Sequence, residues 1–172
     1  MFLFSFLQNN VENWRLKIGV LLSMLAVMLI CAGVDMGMSG QLHKFGIYPR
    51  SLVGLWGIPV APFLHVSLSH LVINALPLLI LGAFVLMRAR GVAIFSYLVA
   101  TIAVLGGIGV WAFGEEHLHT GSSVLVFGFF GYLLVMGAIA LDWRSTVTAV
   151  VVFVIYGTTL ISMFTQVRRR GT

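Results

Sequence analysis

The chain has 172 residues, of which 60% are hydrophobic and only 9% charged, against about 25% charged in an ordinary soluble domain; its mean hydropathy is +1.07. A large soluble domain is excluded, because five acidic residues cannot solvate a surface between apolar stretches long enough to span hydrocarbon. The net charge of +5 comes from ten Lys and Arg that mostly stand at the ends of apolar runs, so it reads as membrane topology and contact with anionic lipid, with no nucleic-acid partner.

In chain order, residues 1–17 mix Phe2, Leu3, Phe4 and Phe6 with Asn9, Glu12, Arg15 and Lys17, which predicts a short interfacial or cytoplasmic segment. Residues 18–34 form a first span with no cleavage site after it. They contain Cys31, the single cysteine, which rules out an intramolecular disulfide and is expected to be a buried apolar residue. Residues 36–63 make a connection too long for a simple turn, holding His43, Lys44, Pro49, Arg50, Trp56, Pro59 and Pro62. Its aromatic and apolar residues place part of it in the membrane interface. A second span covers residues 64–87, with a kink expected at Pro77, and a third covers 92–113, where Gly106, Gly107 and Gly109 allow close helix approach. After the polar turn at residues 114–120, a fourth span reaches residue 141 and a fifth runs over 146–164. Arg15, Lys17, Arg88, Arg90 and Arg144 fall on one side if the helices alternate, and that side, with the N-terminus, is cytoplasmic. Five helices then leave Arg168, Arg169 and Arg170 outside, against the charge rule.

Several polar residues interrupt the apolar pattern. His70 and Asn74 are four apart and share a helix face; either they bond helix to helix or they form a donor pair for an anion. His65 reads equally well as an interfacial or a functional histidine. Ser123 opens the fourth span just after Gly121, where a hydroxyl would be presented beside free backbone N–H groups. Ser122 and Ser123 are also equally good helix caps. Glu115, Glu116, His117 and His119 lie in one short turn without a distant third ligand, so neither a metal nor a cofactor is expected.

The combination of His65-x4-His70-x3-Asn74 on the second helix and Gly121-Ser122-Ser123 opening the fourth, continued by Phe127-Gly128-Phe129-Phe130-Gly131-Tyr132, resembles the rhomboid family of intramembrane serine proteases. The likeness extends back through Tyr48-Pro49-Arg50, Leu55-Trp56-Gly57 and Ala61-Pro62-Phe63-Leu64, and on through Tyr156-Gly157. It implies an all-α polytopic membrane bundle of about five helices forming a single domain over residues 1–172. It also implies a serine endopeptidase that cleaves membrane-anchored substrates in a bacterial cell membrane, with lipids and transmembrane proteins as partners. By the same resemblance Ser123 is the nucleophile position, and His70 and Asn74 assist the Ser123 N–H in holding the oxyanion.

Two departures from the family pattern stand out. Val124 occupies a position where many members have glycine. The family's base is a histidine on a sixth helix, and this sequence has no histidine after His119, so no general base is identified and the C-terminal end reads as truncated. His117 and His119 are the remaining substitutes, both preceding Ser123. The alternative function is a catalytically inactive rhomboid-like protein that binds client transmembrane helices.

Overall fold

A computed structural model describes residues 14–140 together with Val147, Val150 and Val154. Among the described residues four α-helices have defined bounds: α1 over Trp14–Gly37, α2 over Leu68–Arg88, α3 over Val92–Phe113 and α4 over Ser123–Ala140. Arg15–Gly37, Leu68–Arg88 and Val92–Phe113 are long and apolar enough to cross a membrane, and the apolar Ser123–Ile139 is shorter. The architecture is the expected helical membrane bundle; among the described residues the one extended pairing is an isolated bridge between Ile47 and His119. The predicted fifth span at 146–164 lies outside the described residues apart from Val147, Val150 and Val154, which are helical and exposed. Residues 1–13 of the predicted interfacial segment also lie outside them, whereas 14–17 form the first turn of α1, since Trp, Arg, Leu and Lys contain no helix breaker. By its contacts the chain divides into a unit ending at Phe129 and a second beginning at Phe130. The second holds the C-terminal part of α4, and all that follows concerns the first.

Along α1 the buried apolar residues are Leu21, Met24, Met28 and Ala32, three or four apart and therefore on one face. On α2 they include Leu71, Ala75, Leu78, Leu81 and Val85, and Gly82 lets the helices approach so closely that a Cβ there would stand 2.7 Å from Leu21 Cδ2. In lipid such packing, not apolar transfer, holds helices together. Lys17 Nζ donates to the carbonyls of Leu86 at 3.1 Å and Ala89 at 3.3 Å, at the end of α2 where carbonyls lack helical partners and the dipole favours a cation. The helix continues through Pro77, so the expected kink does not end it. By contrast α3 buries only Phe95 and Gly107 among the described residues. Phe95 packs on Phe129 of α4, ring centroids 5.7 Å apart.

The long connection between α1 and α2 is ordered by local turns and by hydrogen bonds. Three short 3-10 turns, Leu42–Phe45, Val53–Gly57 and Ala61–Phe63, satisfy part of its backbone. Asp35, near the end of α1, is buried and accepts from the N–H groups of Leu42 at 2.6 Å and His43 at 3.1 Å, with His43 Nδ1 2.9 Å from its other oxygen. Further on, Ile47 and His119 exchange N–H···O bonds of 2.9 and 2.8 Å. Arg50 takes a left-handed φ of 59°, donating its N–H to the Trp111 carbonyl and its Nη1 to that of Gly114. Trp111 Nε1 returns a 2.8 Å bond to the Ser51 carbonyl. Ile47, Ile58 and Ala61 make a small core against Val110 and Trp111. These bonds place the connection and the 114–120 turn at the same end of the bundle. Leu52, Val53 and Trp56 stay almost fully exposed, as interfacial residues do. Between α1 and the connection lies an apolar cavity of about 950 Å³. Cys31 lines it and is only half-buried, which corrects the expectation of a buried cysteine: its side chain borders the groove and not the α1–α2 contact.

Candidate active site

The second helix begins later than the sequence reading placed it, at Leu68 and not at residue 64. Pro62 sits in a 3-10 turn, and Ser67, in extended conformation, caps the helix by accepting the His70 N–H at 3.1 Å. His65 is therefore outside the helix, in the short link between the last 3-10 turn and α2, while His70 occupies the first helical turn. Asn74 lies one turn further, buried, with Nδ2 donating to the His70 carbonyl at 2.9 Å.

The fourth helix starts at Ser123. Ser122 is its cap through the backbone, since its carbonyl accepts from Leu125 at 2.9 Å and Val126 at 3.0 Å. Of the two serines that the sequence left equivalent, Ser122 is fully buried and Ser123 is the first helical residue, half-buried. Gly121, with φ of +107°, turns the chain into the helix and donates its N–H to the Ala61 carbonyl at 2.9 Å. Only a residue without Cβ fits, for two reasons. The backbone angle is one that L side chains rarely adopt, and an added Cβ would stand 2.9 Å from His70 Cε1 and 3.1 Å from Nε2.

The Gly121–Ser123 turn thus rests on two imidazoles. His70 lies over Gly121, and His65 Nε2 accepts the Ser122 N–H at 3.4 Å; the rings meet edge to face with centroids 5.4 Å apart. His65 is 3% exposed. Burial first, and then the neighbouring charge of His70, bring its pKa down from 6.5 to about 4, so at neutral pH it is an uncharged acceptor. The His65 Nδ1, His70 Nδ1 and Ser122 Oγ atoms are buried with no hydrogen-bond partner among the described residues, which makes this the polar centre of an otherwise apolar interior.

Ser123 borders a cavity of about 60 Å³ together with His119, Thr120, Gly121, Val124, Ala61 and Val110. His119 Nε2 lies 3.0 Å from the Glu115 carbonyl, and the His117 and His119 rings stack at 4.1 Å. His117 Nδ1 is 3.7 Å from a Glu115 carboxylate oxygen. His119 therefore shares a cavity wall with Ser123, while the His117 contacts are within the turn.

Sequence reasoning did not foresee the His65 contact with Ser122. The two are 57 positions apart, and no spacing rule connects them. The late start of α2 was legible, because a serine directly before an apolar run is an N-cap signal.

A family model described as the Rhomboid domain matches residues 53–169. Uncharacterized proteins of Mycobacterium bovis and Mycobacterium tuberculosis are each 34% identical over 151 residues, covering 84% of this chain and 62% of theirs. One of Mycobacterium leprae is 30% identical over 169 residues, covering 95% of this chain and 66% of its own length. The chain thus spans about three-fifths of the length of the first of these relatives. No solved structure matches it significantly.

Proposed function

Because the chain belongs to the rhomboid family, we propose that this integral membrane protein carries the nucleophile and oxyanion side of an intramembrane serine endopeptidase acting on membrane-anchored proteins. The observation that carries the reading is the His70 ring held over Gly121, two residues before Ser123, at the N-terminal end of α4. In this reading the Ser123 Oγ attacks the scissile carbonyl. The developing oxyanion is met by the Ser123 N–H, which has no partner one turn earlier because the helix starts there, by His70, and by Asn74. Preorganised donors in a water-poor site are worth most where charge develops, and loss of one costs roughly 10²- to 10³-fold in rate. No general base is assigned in this reading, although His119 borders the same small cavity as Ser123. In the same reading the N-terminus and the turn holding Arg88 and Arg90 face the cytoplasm, and residues 36–63 and 115–120 face the opposite side.

The test is cleavage of a transmembrane substrate by the protein reconstituted in lipid. Turnover that disappears in Ser123→Ala and falls in His70→Ala and Asn74→Ala supports the endopeptidase. Capture of transmembrane helices that is indifferent to Ser123→Ala, without cleavage, supports the client-binding alternative instead.

A further inference from the structure

We infer that His65 is a positioning residue for the proposed nucleophile: its Nε2 accepts the Ser122 backbone N–H and so fixes the turn that delivers Ser123 to the start of α4. The inference rests on the reading of Ser123 as nucleophile, but its geometric core does not. Ser122 is fully buried, so its N–H, which precedes the helix and has no helical partner, must find an acceptor inside the protein. The acceptor in reach is His65 Nε2 at 3.4 Å. The link carrying His65 also holds the turn from the other side, because the Ala61 carbonyl accepts the Gly121 N–H at 2.9 Å. Consecutive N–H groups of the turn are therefore bonded to one short segment, residues 61–65, and cannot shift without breaking both bonds.

The arrangement fixes the tautomer. An Nε2 that accepts is unprotonated, so the neutral ring carries its proton on Nδ1. The titratable group facing the ring is His70, edge-on at 5.4 Å; the Ala61–Phe63 turn and the Gly121–Ser122 segment present backbone to it. Burial keeps the ring uncharged at neutral pH. A second proton on Nε2 would set donor against donor and release Ser122.

Two measurements on the lipid-reconstituted protein test this. Nitrogen-15 NMR of histidine-labelled protein, assigned by difference with His65→Gln, should show an unprotonated Nε2 on His65 at pH 7. A protonated Nε2 overturns the inference whatever the activity. The second is the rate at which a fluorophosphonate labels Ser123. His65→Leu should lower it about ten- to a hundredfold, the scale of a small misplacement of a reacting group. His65→Gln, whose amide oxygen can accept the same N–H, should restore most of the loss, which a merely space-filling role would not produce. A folded His65→Leu protein that labels as fast as the parent overturns the inference, and so does a His65→Gln protein as slow as His65→Leu. Labelling that persists in Ser123→Ala overturns the nucleophile reading, and the NMR result then still decides the Ser122 hydrogen bond.

Discussion

Replacing Gly121 by alanine puts a methyl group where the site has no room and a side chain where the backbone does not accept one. The φ of +107° costs an L residue about 1–3 kcal/mol. The new Cβ would stand 2.9 Å from His70 Cε1 and 3.1 Å from Nε2, closer than ordinary contact, and overpacking of this kind costs about 1–3 kcal/mol more. With partial relaxation of the ring, Gly121→Ala should lower stability by about 3 kcal/mol. Because His70 must move to make room, Ser123-dependent turnover should fall about a hundredfold. Equilibrium unfolding in mixed micelles, extrapolated to zero denaturant, measures the first quantity, and substrate cleavage the second. Gly33→Ala is the control: nothing lies within 4 Å of its would-be Cβ, and inside α1 alanine should be neutral or stabilising by up to about 1 kcal/mol. A Gly121→Ala protein within about 0.5 kcal/mol of the parent, the range of an uneventful surface change, would refute the geometry argued for the turn.

Acid should destabilise the fold through His65. With its pKa near 4 when folded and 6.5 when exposed, the unfolded chain binds the proton more tightly. The contribution is therefore complete above about pH 6.5, is lost as the pH falls toward 4, and amounts to about 3 kcal/mol; His65→Gln should lose less over the same range, and equal losses would contradict the assignment. Asp35→Asn should cost about 1–3 kcal/mol by weakening a carboxylate that accepts from Leu42 and His43. Hydrogen exchange at those two amides should rise selectively, and unchanged protection would show that the clasp does not order the connection. Single cysteines at Gln41 and Glu116 should react from the same face of the membrane, opposite to one at Arg90; labelling of Gln41 and Glu116 from opposite faces would be incompatible with the Ile47–His119 bonds.

The apolar spans were legible because membrane helices must satisfy their backbone internally and so declare themselves as long apolar runs. α3, apolar along its whole length, is the plainest case. Its glycine cluster was legible only as a class: a Cβ on Gly106 would meet Val124 and one on Gly107 would meet Ile58, whereas Gly109 meets nothing within 4 Å. Period and composition mark small residues but not which partner each one faces. The start of α2 was misplaced by extending hydrophobicity across Leu64 to Ser67, although the Ser67 cap was in plain view. What could not be read at all were bonds between distant segments, such as Arg50 to Gly114 and His65 to Ser122, because they depend on where the long connection returns.

That return makes the candidate site dependent on residues far from it. Gly121 is held by the Ala61 carbonyl, Ser122 by His65, and the space over Gly121 is filled by His70, so the segment 61–70 sets the turn from three directions. The segment in turn reaches its position through the connection, whose own anchors are the Asp35 clasp on α1 and the Arg50, Ser51 and Ile47 bonds to the end of α3 and the turn after it. Helix packing alone supplies little of this. Among the described residues α3 buries two, and α1 meets α2 along their apolar faces. In lipid, where apolar burial does not discriminate between packings, hydrogen bonds from an ordered loop can specify a polar site to a fraction of an ångström at little cost in driving force. The long connection is thus part of the site's construction: it positions the start of α4 by bonding to it, and substitutions at Arg50 or Asp35 should act on Ser123 through that route before they act on the membrane spans.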